Sequence, residues 1–247
     1  MFSHSSSGPV LGLIPAKGGS TRLARKNMRL LGDKPLLAWA AEAARESGVI
    51  DRLVLSTEDR DVAEIARAWH IDVPFMRPAA LAKDPAGVVD TALHAIEQLE
   101  ADGQYYKTLV ILLPTCPLRT AEDIRGAYDL FLRMNRPFVM SVSEFNHTPL
   151  AALQQSEDGT LNPYMPEYFG RKSQELPPAY RPNGAIHVLD VEAFKRERSY
   201  LAEPLVGYVM PRERSIDIDT LEDLRIAEAQ LTEADLRDRR MPKLAIV

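Results

Sequence analysis

Positive charge is concentrated in one short stretch near the start of the chain, IPAKGGSTRLARKN at residues 14–27. Two adjacent glycines, Gly18 and Gly19, allow backbone N–H groups to turn towards an anion. The stretch contains no acidic residue, and its cations are Lys17, Arg22, Arg25 and Lys26. Several cations and amides that converge on one loop are suited to a polyphosphate. A solvated surface loop is the alternative, because neither the Walker A pattern nor G-x-G-x-x-G is present.

Two carboxylates lie two residues apart in SIDIDT, residues 215–220. On extended backbone the side chains alternate, so Asp217 and Asp219 are expected on one side and the two isoleucines on the other. Neighbouring carboxylates repel unless a cation lies between them, and an oxygen-rich site favours Mg²⁺. The alternative is that Asp219 or Thr220 simply caps the helix that follows.

Two further motifs carry polar groups, PTCPLRT at residues 114–120 and YRPNGAIHV at residues 180–188. In the first, Thr115 lies in a turn and Arg119 could hold a phosphate or a carboxylate, whereas Cys116 is expected to be a small buried thiol rather than a nucleophile. In the second, Arg181 and Asn183 together suit the carboxylate and hydroxyl groups of a sugar acid. A Pro-Asn-Gly turn with a surface arginine is the alternative there.

The bulk composition is that of an ordinary globular protein and excludes several classes. The chain has 247 residues, of which 45% are hydrophobic and 26% charged, and its net charge of −5 argues against a nucleic-acid-binding face. One cysteine rules out an intramolecular disulfide and suits a reducing cytoplasm. No apolar run is long enough to cross a bilayer, which needs about 20 residues. Residues 1–8 lack the pattern of a signal peptide and are expected to form a disordered leader.

Strand and helix patterns alternate through the first half of the chain. Short apolar runs at 10–14, 51–57, 71–75, 108–113 and 137–142 predict strands, and amphipathic stretches between them predict helices. This β-α-β-α succession predicts one α/β domain over 1–247, built on a doubly wound, mostly parallel sheet. Ligands of such sheets bind at the carboxyl ends of the strands, which is where the cationic loop follows the first strand.

The periodicity lapses between residues 143 and 182, where prolines, tyrosines and glycines give no clear pattern. A stretch of this length without a core of its own is usually a lid, a binding arm or an oligomer contact. Strand-like segments return at 184–189 and 215–218, and a helix is predicted from about residue 220. The tail at 232–247 is charged and then apolar, and its pattern assigns it no role.

Taken together, the motifs resemble those of the acylneuraminate cytidylyltransferases, also called CMP-sialic acid synthetases. The resemblance runs over roughly residues 10–230, and the motifs occur in the order and spacing of that family. They are IPAKGGSTRLARKN, LVLSTEDRDVAEIA, VPFMRPAALAKD, PTCPLRTAEDI, RPNGAIHV and SIDIDTLEDL. The resemblance implies a Rossmann-like nucleotidyltransferase fold and a homodimer in which the 143–182 arm reaches the partner's active site.

The resemblance also implies a reaction, in which CTP and a 2-keto-3-deoxy sugar acid give a CMP-sugar and pyrophosphate. Lys17, Lys26 and Asp217 are then expected to be catalytic, and Asp217 and Asp219 to bind Mg²⁺. Arg77 and Asp84 match the segment beside the cytidine. The loop residues implied to bind CTP are Ala16, Lys17, Gly18, Gly19, Ser20, Arg22, Lys26 and Asn27. Thr115, Arg119, Arg181 and Asn183 match positions around the phosphates and the sugar acid.

The departures from the family pattern fall mainly on the sugar side. Leu113 stands where sialic acid enzymes tend to have Gln, Ala151 where they have Lys, and Ser173 where they have Arg. We therefore expect an acceptor other than ordinary N-acetylneuraminate. Two alternatives stay open: cytidylyl transfer to a non-sugar acid such as a phosphonate, and a nucleotide-binding regulator without catalysis.

Overall fold

The computed structural model describes residues 8–20 and 22–240, with side chains as far as residue 232. The expected leader therefore lies outside the described residues, apart from Gly8, and so does the end of the tail. No helix within the described ranges is long and apolar enough to cross a membrane.

The strands form one large sheet and two small hairpins. Their bounds are β1 Val10–Pro15, β2 Leu30–Leu31, β3 Lys34–Pro35, β4 Arg52–Ser56, β5 Thr108–Ile111, β6 Phe138–Glu144, β7 Leu153–Gln155, β8 Leu161–Pro163, β9 Tyr180–Asp190 and β10 Leu205–Val209. The large sheet has the order β10-β6-β9-β5-β1-β4. Neighbours in it are parallel except where β9 pairs with β5 and β6. The predicted mostly parallel sheet is confirmed.

Most helices of the described residues lie where the apolar periodicity predicts them, with ends set by local chemistry. The sequence patterns did not predict the short helix at Val191–Glu197 or strand β10. Their bounds are α1 Leu36–Ser47, α2 Arg60–Ala68, α3 Val88–Ala101, α4 Ala121–Met134, α5 Val191–Glu197 and α6 Leu221–Arg240. Gly48 ends α1 in the left-handed conformation, at φ 65°. Asp59 caps α2, and Thr120 forms a capping box with Asp123 at the start of α4.

Helices cover both faces of the large sheet, as a doubly wound fold requires. On one face α1, α2 and α4 contribute Leu37, Val62 and Ile124 to a buried cluster. On the other, α3 and α5 contribute Ile96 and Phe194 to a second cluster. Because both faces are covered, β5 is buried along its whole length and β1 along all but its last residue.

A third, smaller core joins the two ends of the chain at the carboxyl edge of the sheet. Leu23 of the cationic loop, Leu36 at the start of α1 and Ile218 between the two aspartates pack together with Leu224 and Ala227 of α6. This cluster holds the cationic loop beside the aspartates.

Two predicted strands are absent from the structure. Residues 71–75 make a single bridge, Asp72 to Val54, because Pro74 interrupts further pairing. Residues 215–218 form a loop in which the Ser215 N–H donates to the Arg212 carbonyl and the Ile218 N–H to the Thr115 carbonyl, so the segment is not part of a sheet.

The 143–182 segment is an exposed extension of the sheet edge. It contains the β7-β8 hairpin and short 3-10 turns at Pro149–Ala151, Pro166–Tyr168 and Ser173–Glu175. Large apolar side chains are exposed along it, at Leu153, Leu161, Tyr164 and Phe169. The β7-β8 hairpin pairs through three residues of each strand and is not part of the large sheet.

Candidate active site

The cationic loop begins where β1 ends and is held at several points. The Ala16 N–H donates to the Ser56 carbonyl at 3.0 Å, and Ala16 itself is buried. The Asn27 side-chain amide is also buried and donates to the Lys17 carbonyl at 2.8 Å, which ties the two ends of the loop together. The Lys17 side chain and Gly19 are exposed, and Gly18 and Ser20 are half-buried. The loop thus presents a cationic, open surface at the sheet edge.

The loop meets the late aspartates directly. The Lys26 ammonium lies 2.6 Å from Asp219 Oδ1, and an Arg22 guanidinium nitrogen lies 2.7 Å from Asp219 Oδ2. Arg25, which has a left-handed backbone at φ 53°, turns away to pair with Asp61 on α2. Three of the four loop cations are therefore paired with carboxylates in this structure.

The aspartate segment keeps the alternation that its sequence predicts, although it is not a strand. Ile218 is fully buried, whereas Asp217 is exposed and Asp219 half-buried. The helix cap is Thr220: its hydroxyl accepts from the Asp223 N–H at 3.2 Å, and its own N–H donates to the Asp223 carboxylate at 2.7 Å. Neither the Asp217 nor the Asp219 carboxylate caps α6, so capping does not prevent either of them from binding a ligand.

The PTCPLRT turn lies beside the aspartates. The Ile218 N–H donates to the Thr115 carbonyl at 2.7 Å, and the Cys116 sulfur lies 3.9 Å from Asp217 Oδ1. Burial, followed by the nearby Asp217 charge, raises the pKa of the Cys116 thiol to about 12. Cys116 is therefore a neutral buried thiol, as expected.

Arg119 does not face the loop as an exposed ligand. Its guanidinium is buried and donates to the Leu113 carbonyl, while Nε and Nη1 have no hydrogen-bond partner among the described residues. Burial lowers the pKa of Arg119 to about 10. The structure therefore buries Arg119 beneath the turn with two guanidinium nitrogens that no described residue engages, and its expected contact with a phosphate or carboxylate stays a prediction.

Arg181 and Asn183 lie in different environments in the structure. Arg181 is exposed at the start of β9, and its Nε donates to Ser143 Oγ at 3.3 Å. Asn183 is buried, with its NH₂ donating to Ser215 Oγ at 2.9 Å and its Oδ1 accepting from Ser141 at 2.6 Å. Since its amide is used internally, Asn183 positions the segment before Asp217 and does not reach a substrate.

Arg77 forms an ion pair with Glu58, an acidic residue for which the sequence predicted no role. Buried Arg77 pairs with Glu58 at 2.5 Å and donates to Thr91 at 2.9 Å, and Glu58 accepts the Gly18 N–H at 2.8 Å. Burial alone would raise the pKa of Glu58, but the hydrogen bonds from Arg77 and Gly18 outweigh it and the pKa is lowered. The pair therefore ties the glycine turn to α3, while Asp84 is exposed on the segment before that helix.

A second ion pair, between Asp123 and Arg214, fixes the backbone just before the two aspartates. Arg214 donates from Nε and Nη2 to the two carboxylate oxygens of buried Asp123, at 3.0 and 2.8 Å. The pair fastens the 212–214 turn to the first turn of α4. Glu58 lies within the motif LVLSTEDRDVAEIA and Arg214 immediately precedes SIDIDTLEDL, but no role was predicted for either residue.

The donor set limits how a metal could be held. No group of three or more His, Cys, Asp or Glu side chains suited to a metal occurs within the described ranges. Asp217 and Asp219 supply two carboxylates, and Mg²⁺ is usually bound by one or two carboxylates together with substrate phosphates. The residues present therefore fit a magnesium ion that arrives with a nucleotide.

A cationic glycine loop at the carboxyl end of β1, next to the two carboxylates of SIDIDT, is typical of a nucleotide-binding α/β protein. The chain belongs to the cytidylyltransferase family and is a nucleotidyltransferase, because the sequence profile described as "Cytidylyltransferase" matches residues 11–225. The matched range contains both the loop and the aspartates. The resemblance inferred from the motifs is confirmed.

Curated relatives match along most of the chain. Pseudaminic acid cytidylyltransferase of Campylobacter jejuni is 32% identical over 216 residues, which are 87% of this chain and 93% of the relative. CMP-N,N'-diacetyllegionaminic acid synthase of Legionella pneumophila is 31% identical, over 89% of this chain and 94% of the relative. N-acylneuraminate cytidylyltransferase of Escherichia coli is 28% identical over 88% of this chain, but only 51% of the relative is covered.

Solved structures support the fold. CMP:2-keto-3-deoxy-manno-octonic acid synthetase, complexed with CTP, superposes with a TM-score of 0.68 over 92% of this chain and 100% of that structure. Its sequence identity is 15%. The 4-diphosphocytidyl-2C-methyl-D-erythritol synthase of Anaerococcus prevotii gives a TM-score of 0.62 over 91% of this chain, at 12% identity. The nucleotidyltransferase architecture predicted from the motifs is therefore confirmed.

Proposed function

We propose that this chain transfers CMP from CTP to the hydroxyl group of a 2-keto-3-deoxy sugar acid of the nonulosonate class and releases pyrophosphate. The observation that carries the proposal is the meeting of the glycine loop and SIDIDT, where Lys26 and Arg22 both contact Asp219. The proposal is supported because these cations are suited to a triphosphate and these carboxylates to a metal ion.

The acceptor we propose is a nonulosonate other than ordinary N-acetylneuraminate. The relatives that match over nearly their whole length are named for pseudaminic and legionaminic acids. The departures at Leu113, Ala151 and Ser173 fall on the sugar side and support the same choice. Leu113 is half-buried next to Gly184, so the structure has an apolar side chain at this position.

The chemistry we propose is an in-line displacement. The sugar hydroxyl loses its proton and forms a bond to the α-phosphorus while the bond to pyrophosphate breaks, so negative charge builds on the leaving group. Lys17, Lys26 and Arg22 lie on the loop that would hold that group, and their charges stabilise it as it develops. Arg181, exposed at the start of β9, is suited to the carboxylate of the sugar acid.

Magnesium is part of this proposal. Asp217 and Asp219 would hold the ion, and when bound it would neutralise charge on the phosphate oxygens. The protein's own contribution is to present these two carboxylates on a short segment fixed by the Ile218 bond to Thr115.

We also propose a homodimer. The 143–182 arm carries exposed apolar side chains, and its ends leave the sheet beside Arg181 and Ser143. A second copy of the chain would cover these apolar groups and bring its own arm to the acceptor side of the site.

The deciding experiment is pyrophosphate release from CTP and Mg²⁺ with a panel of acids. We expect the highest kcat/KM with pseudaminate or legionaminate, and lower values with N-acetylneuraminate and 3-deoxy-octulosonate. A clear preference for N-acetylneuraminate would contradict the acceptor assignment. Release with a phosphonate alone would favour the non-sugar alternative, and CTP binding without release with any acid would favour a regulator.

A further inference from the structure

The two aspartates of SIDIDT are used differently, although their motif treats them alike. Asp219 is bound by two cations at once, Lys26 at 2.6 Å and Arg22 at 2.7 Å. Asp217, by contrast, makes no ion pair within the part of the chain that the structure describes. The Cys116 thiol lies 3.9 Å from Asp217 Oδ1, which is a weak contact. One carboxylate is therefore engaged by protein cations and the other is open.

The engagement of Asp219 is strongest at Lys26. The Lys26 side chain is 14% exposed and that of Asp219 27%, so this contact is largely shielded from water, whereas Arg22 is 69% exposed and its contribution is screened. Leu23 and Ile218 pack in one small core, which keeps the loop and the aspartate segment at this separation.

Lys26 and Arg22 are also the cations that would receive the triphosphate of CTP. A carboxylate that already satisfies them competes with a phosphate for the same N–H donors, and its negative charge repels that phosphate. The competition ends when the carboxylate finds another partner, such as the divalent cation that SIDIDT is suited to hold.

We propose that Asp219 makes triphosphate binding depend on the divalent cation, so that the site discriminates metal-complexed CTP from free CTP. The proposal rests on the proposed function. Without the cation, Asp219 keeps Lys26 and Arg22 occupied. With it, Asp219 turns to the cation and both side chains become available for phosphate oxygens. Asp217 pairs with neither Lys26 nor Arg22, so its role in the proposal is only to bind the cation.

The test is calorimetric titration of CTP into the wild-type chain and two variants, without acceptor, in excess EDTA and then in excess Mg²⁺. Asp219→Asn removes the masking charge, and Asp217→Asn removes the same charge two residues away without freeing a cation. We expect Asp219→Asn to bind CTP in EDTA about tenfold more tightly than the wild type, and Asp217→Asn to change that affinity less than about threefold.

An unchanged affinity in Asp219→Asn, or an equal gain in both variants, overturns the proposal, since the latter is an effect of net charge alone. If circular dichroism shows Asp219→Asn to be unfolded, Asp219→Ser replaces it under the same criterion. Wild-type protein that fails to bind CTP even in Mg²⁺ overturns the proposed function itself. Wild-type binding in Mg²⁺ with no gain in Asp219→Asn overturns only the role of Asp219.

Discussion

Lys26 Nζ lies 2.6 Å from Asp219 Oδ1 although the two residues are 193 positions apart in the chain. The contact is possible because β1 ends, and α6 begins, at the same edge of the sheet, with Leu23 and Ile218 packed beneath it. Every element of the proposed chemistry depends on this closure.

Replacing Lys26 by Met is expected to lower kcat about 10²- to 10³-fold, because a cation directed at developing phosphate charge is removed. Initial rates of pyrophosphate release measure the effect. Lys107→Met is the matched control, since Lys107 is exposed at the opposite, amino end of β5. Equal rates in both variants would remove Lys26 from the reaction.

Asp217→Ala is expected to abolish turnover, with kcat at least about 10²-fold lower, and to leave the unfolding temperature unchanged. The side chain is exposed and does not cap α6, so its loss leaves no buried group unpaired. Pyrophosphate release and thermal unfolding are measured together, with Asp102→Ala at the end of α3 as the control. Undiminished turnover would exclude a metal role for Asp217.

Glu58→Gln is expected to lower the free energy of unfolding by about 3 kcal/mol, because it leaves the buried Arg77 guanidinium without its counter-charge. It should also raise KM for CTP, since Glu58 holds Gly18 in the loop. Urea unfolding and steady-state kinetics measure the two effects. A double variant with Arg77→Met should lose less stability than the sum of the single variants.

Stability should fall in acid because of Glu58 and Asp123. The pKa of each is lowered in the folded protein, since the hydrogen bonds from Arg77 and Arg214 outweigh the effect of burial. A lowered folded pKa gives stability that is present above the unfolded values of 4.5 and 3.8 and is lost as the pH falls through the folded values. Urea unfolding between about pH 7 and pH 3 should show this decline, and a shallower one in Glu58→Gln. An equally deep decline in Glu58→Gln would exclude a contribution of Glu58 to the loss of stability in acid.

Tyr164→Lys is expected to dissociate the proposed dimer, because it puts a charge on the exposed apolar surface of the arm. Tyr105→Lys is the matched control, since Tyr105 is 68% exposed and Tyr164 65%, but Tyr105 lies outside the arm. Sedimentation equilibrium measures both. Dissociation by the control alone, or by neither variant, would contradict an interface at the arm.

The local patterns predicted most of the sheet and helices because burial leaves a strong periodic signal. Residues 109–113 form a continuous apolar run, since β5 lies between two helical layers. Residues 71–75 and 215–218 carry the same kind of signal, yet they form no strand, because pairing depends on neighbours that a single segment does not reveal. Ile218 is buried by packing against Leu23 rather than by a sheet.

The sequence motifs predicted which segments form the candidate site, but they did not predict the contacts between its side chains. Lys26, Asp217 and Asp219 could be chosen because charge and spacing are visible in the sequence. Asn183 and Arg119 have equally polar side chains, and only the structure shows that both point inward, to Ser215 and to the Leu113 carbonyl. The link from Arg77 through Glu58 to Gly18 joins three of the quoted motifs across 59 positions of sequence, and the motifs by themselves do not show that these residues meet.

The antiparallel course of β9 has a consequence for how such an enzyme can diverge. Glu144 at the end of β6 is paired with Tyr180 at the start of β9, so the intervening arm departs and returns at adjacent points. A loop with clamped ends can grow, shrink or be exchanged at small entropic cost and without shifting the strands. Under the proposed function, in which the arm reaches the acceptor, acceptor preference could change through the arm while the nucleotide-binding loop stays constant.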